Sequence, residues 1–208
     1  MAARTRKATV KRYETHDNGS RPFFVEVRNA TRVTVFKNMD TFKKVGKKFV
    51  DIHLPPKLLF ERTVKAVLPG KRSSVPGYYP KAAIGNSVLL QLSAGRYMFI
   101  GHEIFEFNTI GGESITDYVS NIGNSDVPYP YAVGKSSVYL MLNKIALPKE
   151  KLDMKNDPYD QFYYAQRLHM CIAGNPRTEI CADRKAAKAE LADRESWPIP
   201  LKTKTVKS

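Results

Sequence analysis

The sequence predicts a mainly β protein, an antiparallel sandwich or barrel-like meander, with a C-terminal α-helical extension and extended basic termini. Three observations carry this. Near the N-terminus, PFFVEV and RVTVFK alternate with period two and are rich in β-branched and aromatic residues. In the middle, NSVLLQL, RYMFIG and EIFEFN follow one another across SAG and Gly101-His102, and Tyr97 and Phe99 alternate with Met98 and Ile100, so that both faces are apolar. Strands of that kind belong inside a sandwich or barrel, not on an open sheet. Beyond residue 147 the pattern changes to helical spacing. These shifts divide the chain into a basic arm (1–20), a β-rich domain (21–146), and a helical extension ending in a basic tail (147–208).

Taken in order, RNAT between the first two runs has the length of a hairpin loop. TFKKVGKKFVDIHLPP then packs Lys43, Lys44, Lys47 and Lys48 around Gly46, with Phe42, Val45, Phe49 and Val50 interleaved. It reads as a basic turn joining two short strands, ended by Pro55 and Pro56. LLFERTVKAVL continues as strand or short helix, and its period does not decide between them. Prolines and glycines between 69 and 80 mark an extended loop. After the three middle strands, GNSDVPYPYAVGK leads into a fourth, SVYLML, which makes residues 86–142 a meander with one long insertion. Asn156 and Asp157 before Pro158 form a helix start, Tyr159, Phe162, Ala165, Leu168 and Ile172 recur at helical spacing, and Gly174 is the stop. CADRKAAKAELADRE reads as a second, surface-riding helix. The end, SWPIPLKTKTVKS, reads as an extended basic tail anchored by Trp197.

At 208 residues and 42% hydrophobic content the chain is long and apolar enough to bury a core. No apolar run approaches the roughly 18 residues of a membrane span. MAARTRKATVKR lacks the apolar stretch of a secretory signal and reads as a basic arm rather than a transit peptide. The net charge is +14, and residues 21–80 alone carry 13 basic against 4 acidic side chains. Such a field attracts phosphate, anionic headgroups or acidic protein surfaces. Cys171 and Cys181, with His169 nearby, lack the paired spacing of a zinc site, and either a disulfide or two thiols suits them.

No nucleophile elbow, phosphate-cradling loop or H-E-x-x-H is present. His102, Glu103 and Asp126 are the polar groups near the meander, and the first two fall in a tight turn where solvent leaves them ordinary. The expectation is therefore no enzyme, no catalytic residue, no cofactor and no metal. Lysines interleaved with aromatics could pair phosphates and stack bases. Plain alternation, with aromatics inward and lysines outward, produces the same pattern without a ligand and is preferred here.

YMFIGHEIFEF (97–107), DYVSNIGNSDVPYPYAVG (117–134) and VYLML (138–142) together resemble a family of uncharacterised proteins of large icosahedral DNA viruses of algae and protists. Gly101, Phe105, Phe107, Gly123, Asn124, Asp126, Pro128, Tyr129, Pro130 and Tyr131 carry the match, over about 50 of the 208 residues. The resemblance implies a minor capsid protein, made in the host cytoplasm and placed on the inner face of the virion shell. Its partners would be the major capsid protein and other minor capsid proteins. A basic protein that binds viral DNA is the alternative.

The prolines at 128 and 130 hold their neighbours extended, which makes the 123–131 strap a stiff connector that pins Tyr129 and Tyr131 against the sheet. PYPY lacks the spacing of a Pro-rich ligand. The expected partner-binding residues are Lys43, Lys44, Lys47 and Lys48, the two strap tyrosines, and Trp197 with Ile199 in the tail.

Overall fold

The structure, a computed structural model, describes residues 9–15, 22–70, 87–120, 130–151 and 199–206. Within them four antiparallel sheets form. The first runs in the order β1 (Val10–Glu14), β2 (Phe23–Arg28), β3 (Arg32–Lys37), β6 (Lys57–Thr63). β4 (Thr41–Val45) and β5 (Lys48–Ile52) pair only with each other. The middle sheet is β16 (Thr203–Thr205), β10 (Ile104–Asn108), β9 (Arg96–Ile100), β8 (Val88–Ser93), β7 (Ala66–Pro69). The third is β11 (Asp117–Val119), β12 (Tyr131–Val133), β13 (Ser137–Leu140), β14 (Ile145–Pro148), β15 (Ile199–Pro200).

The alternation of the middle strands sets the stacking. Leu89, Tyr97, Phe99, Phe105 and Phe107 point one way and pack on Tyr118, Ala132, Tyr139 and Ala146 of the third sheet. Val88, Leu90, Met98, Ile100 and Ile104 point the other way, onto Phe23, Val25, Val27, Val33 and Val35 of the first. The middle sheet is thus buried on both sides. On the far face of the third sheet, Val138, Leu140, Ile145 and Leu147 make a smaller cluster with Tyr131 against it. Gly101 shows why the turn after β9 needs a glycine: a Cβ there would lie 2.2 Å from the Phe99 ring.

Polar side chains lock the layers. Glu106 of β10 accepts hydrogen bonds from Arg62 of the first sheet at 3.0 Å and from neighbouring Arg96. Burial pushes its carboxyl up, but the two guanidiniums outweigh that and hold it below the ordinary glutamate value. The chain crosses from the middle to the third sheet through residues 109–116, where two tyrosine hydroxyls accept backbone N–H groups: Tyr97 from Ile115 and Tyr139 from Ile110, each at 2.9 Å. Tyr139 in turn donates to Glu113, which also accepts from the backbone and hydroxyl of Ser136. Burial, and then the bond to this carboxylate, raise the Tyr139 phenol.

The expected C-terminal helical extension and extended termini need correction. Among the described residues there is no α-helix. The tail returns as strands: β15 pairs with β14, Leu201 donates its N–H to Lys144 O at 2.7 Å, and β16 pairs with β10. Residues 199–206 therefore clasp the third sheet to the middle one, with Leu201 buried between. At the other end, Val10–Glu14 is the first strand of the first sheet. The physical reason is shared: short alternating segments complete exposed sheet edges, where their backbone groups find partners. Nor is 86–142 one meander, because its fourth strand, β13, belongs to the third sheet. The helices expected over 156–174 and 181–195 lie outside the described residues, as do both cysteines. No helix among the described residues is long and apolar enough to cross a membrane.

Two outcomes follow from this packing. Phe105 is fully buried between ring neighbours Phe99 and Phe107, so Phe105→Ala should cost about 3–5 kcal/mol in urea denaturation. A cost below about 1 kcal/mol would contradict the two-sided core. Glu106→Gln should cost about 1–3 kcal/mol at neutral pH, as loss of hydrogen bonds to charged groups does. Because the folded-state pKa is depressed, this contribution is complete above the ordinary glutamate value of about 4.3 and fades as pH falls through the folded value. The gap between wild type and variant should therefore close in acid, and a gap that stays constant down to about pH 2 would refute the ionic origin.

Candidate functional site

The turn Val45-Gly46-Lys47-Lys48 joins β4 to β5 through a two-residue loop in which Gly46 has φ +63° and Lys47 is not at positive φ. That is the II′ pattern, whose twist matches the flanking strands and which places glycine first. The pairing Phe42↔Asp51, Lys43↔Val50, Lys44↔Phe49 and Val45↔Lys48 fixes the faces. Phe42, Lys44, Phe49 and Asp51 lie on one side, and Thr41, Lys43, Val45, Lys48, Val50 and Ile52 on the other.

Neither face is covered. Phe42 is 72% and Phe49 71% exposed, with Val45 at 57% and Val50 at 48%. The expectation that these aromatics turn into the core therefore fails at both. The doublets Lys43-Lys44 and Lys47-Lys48 hold the missed signal. Lys43 and Lys44 put a charge on both faces of β4, and Lys48 of β5 adds one on the Lys43 side, so neither face of the ribbon can be buried cheaply. A two-stranded ribbon in water is marginal by itself, and this one is tethered at its base. There Asp40 takes the Nδ1 of His53 at 3.3 Å, and Asn38 Oδ1 accepts the Asp40 N–H. Desolvation pushes the Asp40 carboxyl up, but hydrogen bonds from His53 and Asn38 outweigh it, leaving it below the ordinary aspartate value. Beside the base is a cleft of about 250 Å³ lined by Arg12, Phe24, Asn38, Asp40, Leu54 and Pro56. Its wall is ordered by stacking: the Arg12 guanidinium lies 3.8 Å over Phe24, whose ring stacks on Phe36 at 4.7 Å.

Among the described residues the arginines are paired and most lysines, in the body as in the hairpin, are not. Each described arginine pairs with a carboxylate: Arg12 with Glu14, Arg28 with Glu26, Arg32 with Glu61, and Arg62 and Arg96 with Glu106. Among the described residues none of Lys43, Lys44, Lys47 and Lys48 enters an ion pair. The structure brings these four together around one turn.

The remaining expected partner residues are dispersed. Tyr131 opens β12 opposite Leu140, half-buried against the outer cluster of the third sheet, and burial followed by the nearby Asp117 charge raises its phenol. Ile199 packs against the core as part of the clasp. Tyr129 and Trp197 lie outside the described residues, as does Asp126. His102 and Glu103 share the turn after β9, where Glu103 takes Lys144 Nζ at 2.9 Å and His102 Nε2 at 3.3 Å. Among the described residues no group of His, Cys, Asp and Glu is gathered as a metal ion would require. Comparison with known proteins finds no family model, no curated protein and no solved structure that matches this chain.

Proposed function

We propose that the protein is a structural, non-enzymatic component of a virion, a minor capsid protein that binds and cements neighbouring capsid proteins from the inner face of the shell. One observation carries the structural reading: among the described residues the buried carboxylate Glu106 and the half-buried Glu113 are spent on holding layers and turns together. Glu106 is held by two arginines across two sheets, and Glu113 by Tyr139 and Ser136. Groups engaged in this way rigidify a body and are poorly placed to move protons for a substrate. The virion comes from the resemblance, whose residues Gly101, Phe105 and Phe107 lie in the middle sheet and its turn. They specify the stacked core, so the resemblance bears on a shared body rather than on a shared reaction. Among the described residues β1 and β6 are the outer strands of the first sheet, and such edges are where a neighbour's strand could add. The alternative, a basic protein acting on viral DNA, is favoured by the lysine hairpin alone.

Retention separates the two readings. Shells stripped of genome and internal membrane should keep the protein at its original ratio to the major capsid protein, measured by quantitative mass spectrometry. Release together with the DNA would overturn the shell assignment.

A further inference from the structure

We infer that the β4–β5 hairpin is a nucleic-acid-binding arm that lies along a groove of duplex DNA, with its lysines on the phosphates of both groove walls. This goes beyond the structural reading and does not rest on it: the body can belong to the shell whether or not the arm touches DNA.

The occupant is identified by charge and by shape. Four lysines against one aspartate make the hairpin cationic, and no carboxylate of the described body neutralises them. A second copy of a chain with net charge +14 is therefore a poor occupant. The lysines are not confined to one face. Lys44 projects from one side, Lys43 and Lys48 from the other, and Lys47 from the turn. A protein surface would have to present carboxylates on three sides and strip water from compact ammonium groups. A nucleic-acid groove does this by construction, since its two walls are continuous phosphate, and the major groove, about 12 Å wide, admits a two-stranded ribbon. Phe42 and Phe49, exposed on the Lys44 face, supply flat apolar surface for base edges or a wedge between steps. A membrane would instead favour an apolar tip, whereas this tip carries Lys47 and Lys48.

The test uses the full chain and a labelled 24-base-pair duplex of arbitrary sequence, followed by fluorescence anisotropy across a salt series. Dissociation constants of about 1–100 μM at physiological salt are expected, the range of sequence-independent binding. Replacing Lys43, Lys44, Lys47 and Lys48 by Gln should flatten the log–log salt slope by about 3–4, since each phosphate contact contributes about −0.9. Removing the same charge from the body, at the exposed residues Lys57, Lys65, Lys135 and Lys202, should change the slope by less than one such contact. Phe42→Ser with Phe49→Ser should weaken binding roughly fivefold or more at unchanged slope. Lys47→Gln, at the solvent-facing turn where folding is not at stake, should by itself remove about one contact from the slope. No duplex binding at low salt would overturn the inference, and so would equal slope changes from the hairpin and body variants. Tighter binding to the matching single strand would overturn the groove. Binding only to vesicles rich in anionic lipid, or only to capsid protein, would assign the arm to those partners instead.

Discussion

The middle sheet is dry on both faces, and most other features of the molecule answer to that constraint. A sheet whose central strands present apolar side chains to both sides needs two covers, and the chain supplies them from opposite directions. Residues before 64 build the first sheet onto Val88, Leu90, Met98 and Ile100, while residues after 115 build the third onto Leu89, Tyr97, Phe99 and Phe105. Full burial of such side chains contributes about 1.5–3 kcal/mol each. The covers therefore stay docked mainly through apolar contact, with the ion triad and the tyrosine hydroxyls fixing their register.

Covering a sheet twice forces the chain to cross between layers, and each crossing exposes backbone that no ladder satisfies. The crossing from the first to the middle sheet is held by backbone bonds, Val64 N–H to Thr31 O and Lys65 N–H to Gln91 O, whereas that from the middle to the third is stapled by side chains. Tyr97 and Tyr139 reach from facing sheets to the N–H groups of Ile115 and Ile110, and Glu113 ties the same segment to the Ser136 turn. At the C-terminal end the problem is solved by backbone alone, as Ile199–Pro200 and Thr203–Thr205 complete two sheets in succession. The β4–β5 hairpin is the exception to this economy of cover. Among the described residues it takes no part in any apolar cluster, and what sets it apart is four lysines gathered around one turn with Phe42 and Phe49 exposed beside them.

Much of the local structure was legible in the residues. Val25 and Val27 facing Val35 and Val33 follow from simple alternation, and the double-sided middle strands from Tyr97–Ile100. The assignment of strands to sheets was not legible, because SVYLML pairs equally well in either sheet as far as its own pattern goes. Only the register Tyr131↔Leu140 and the segment 109–116 place it in the third. The ion triad was hidden for a similar reason: Arg62 and Glu106 are 44 residues apart, and nothing local links them. The candidate site was half legible. The lysine cluster stood out in sequence, but the exposure of Phe42 and Phe49 did not, since alternation normally signals a buried side.

Amide hydrogen exchange on the isolated protein tests the contrast between dry core and free arm most directly. Residues 88–93, 96–100 and 104–108 should exchange only through global unfolding, while 41–52, with a single ladder open to water on both faces, should exchange orders of magnitude faster. A hairpin as protected as the middle sheet, or a middle sheet that exchanges like an edge, would contradict the stacked architecture and the free arm that projects from it.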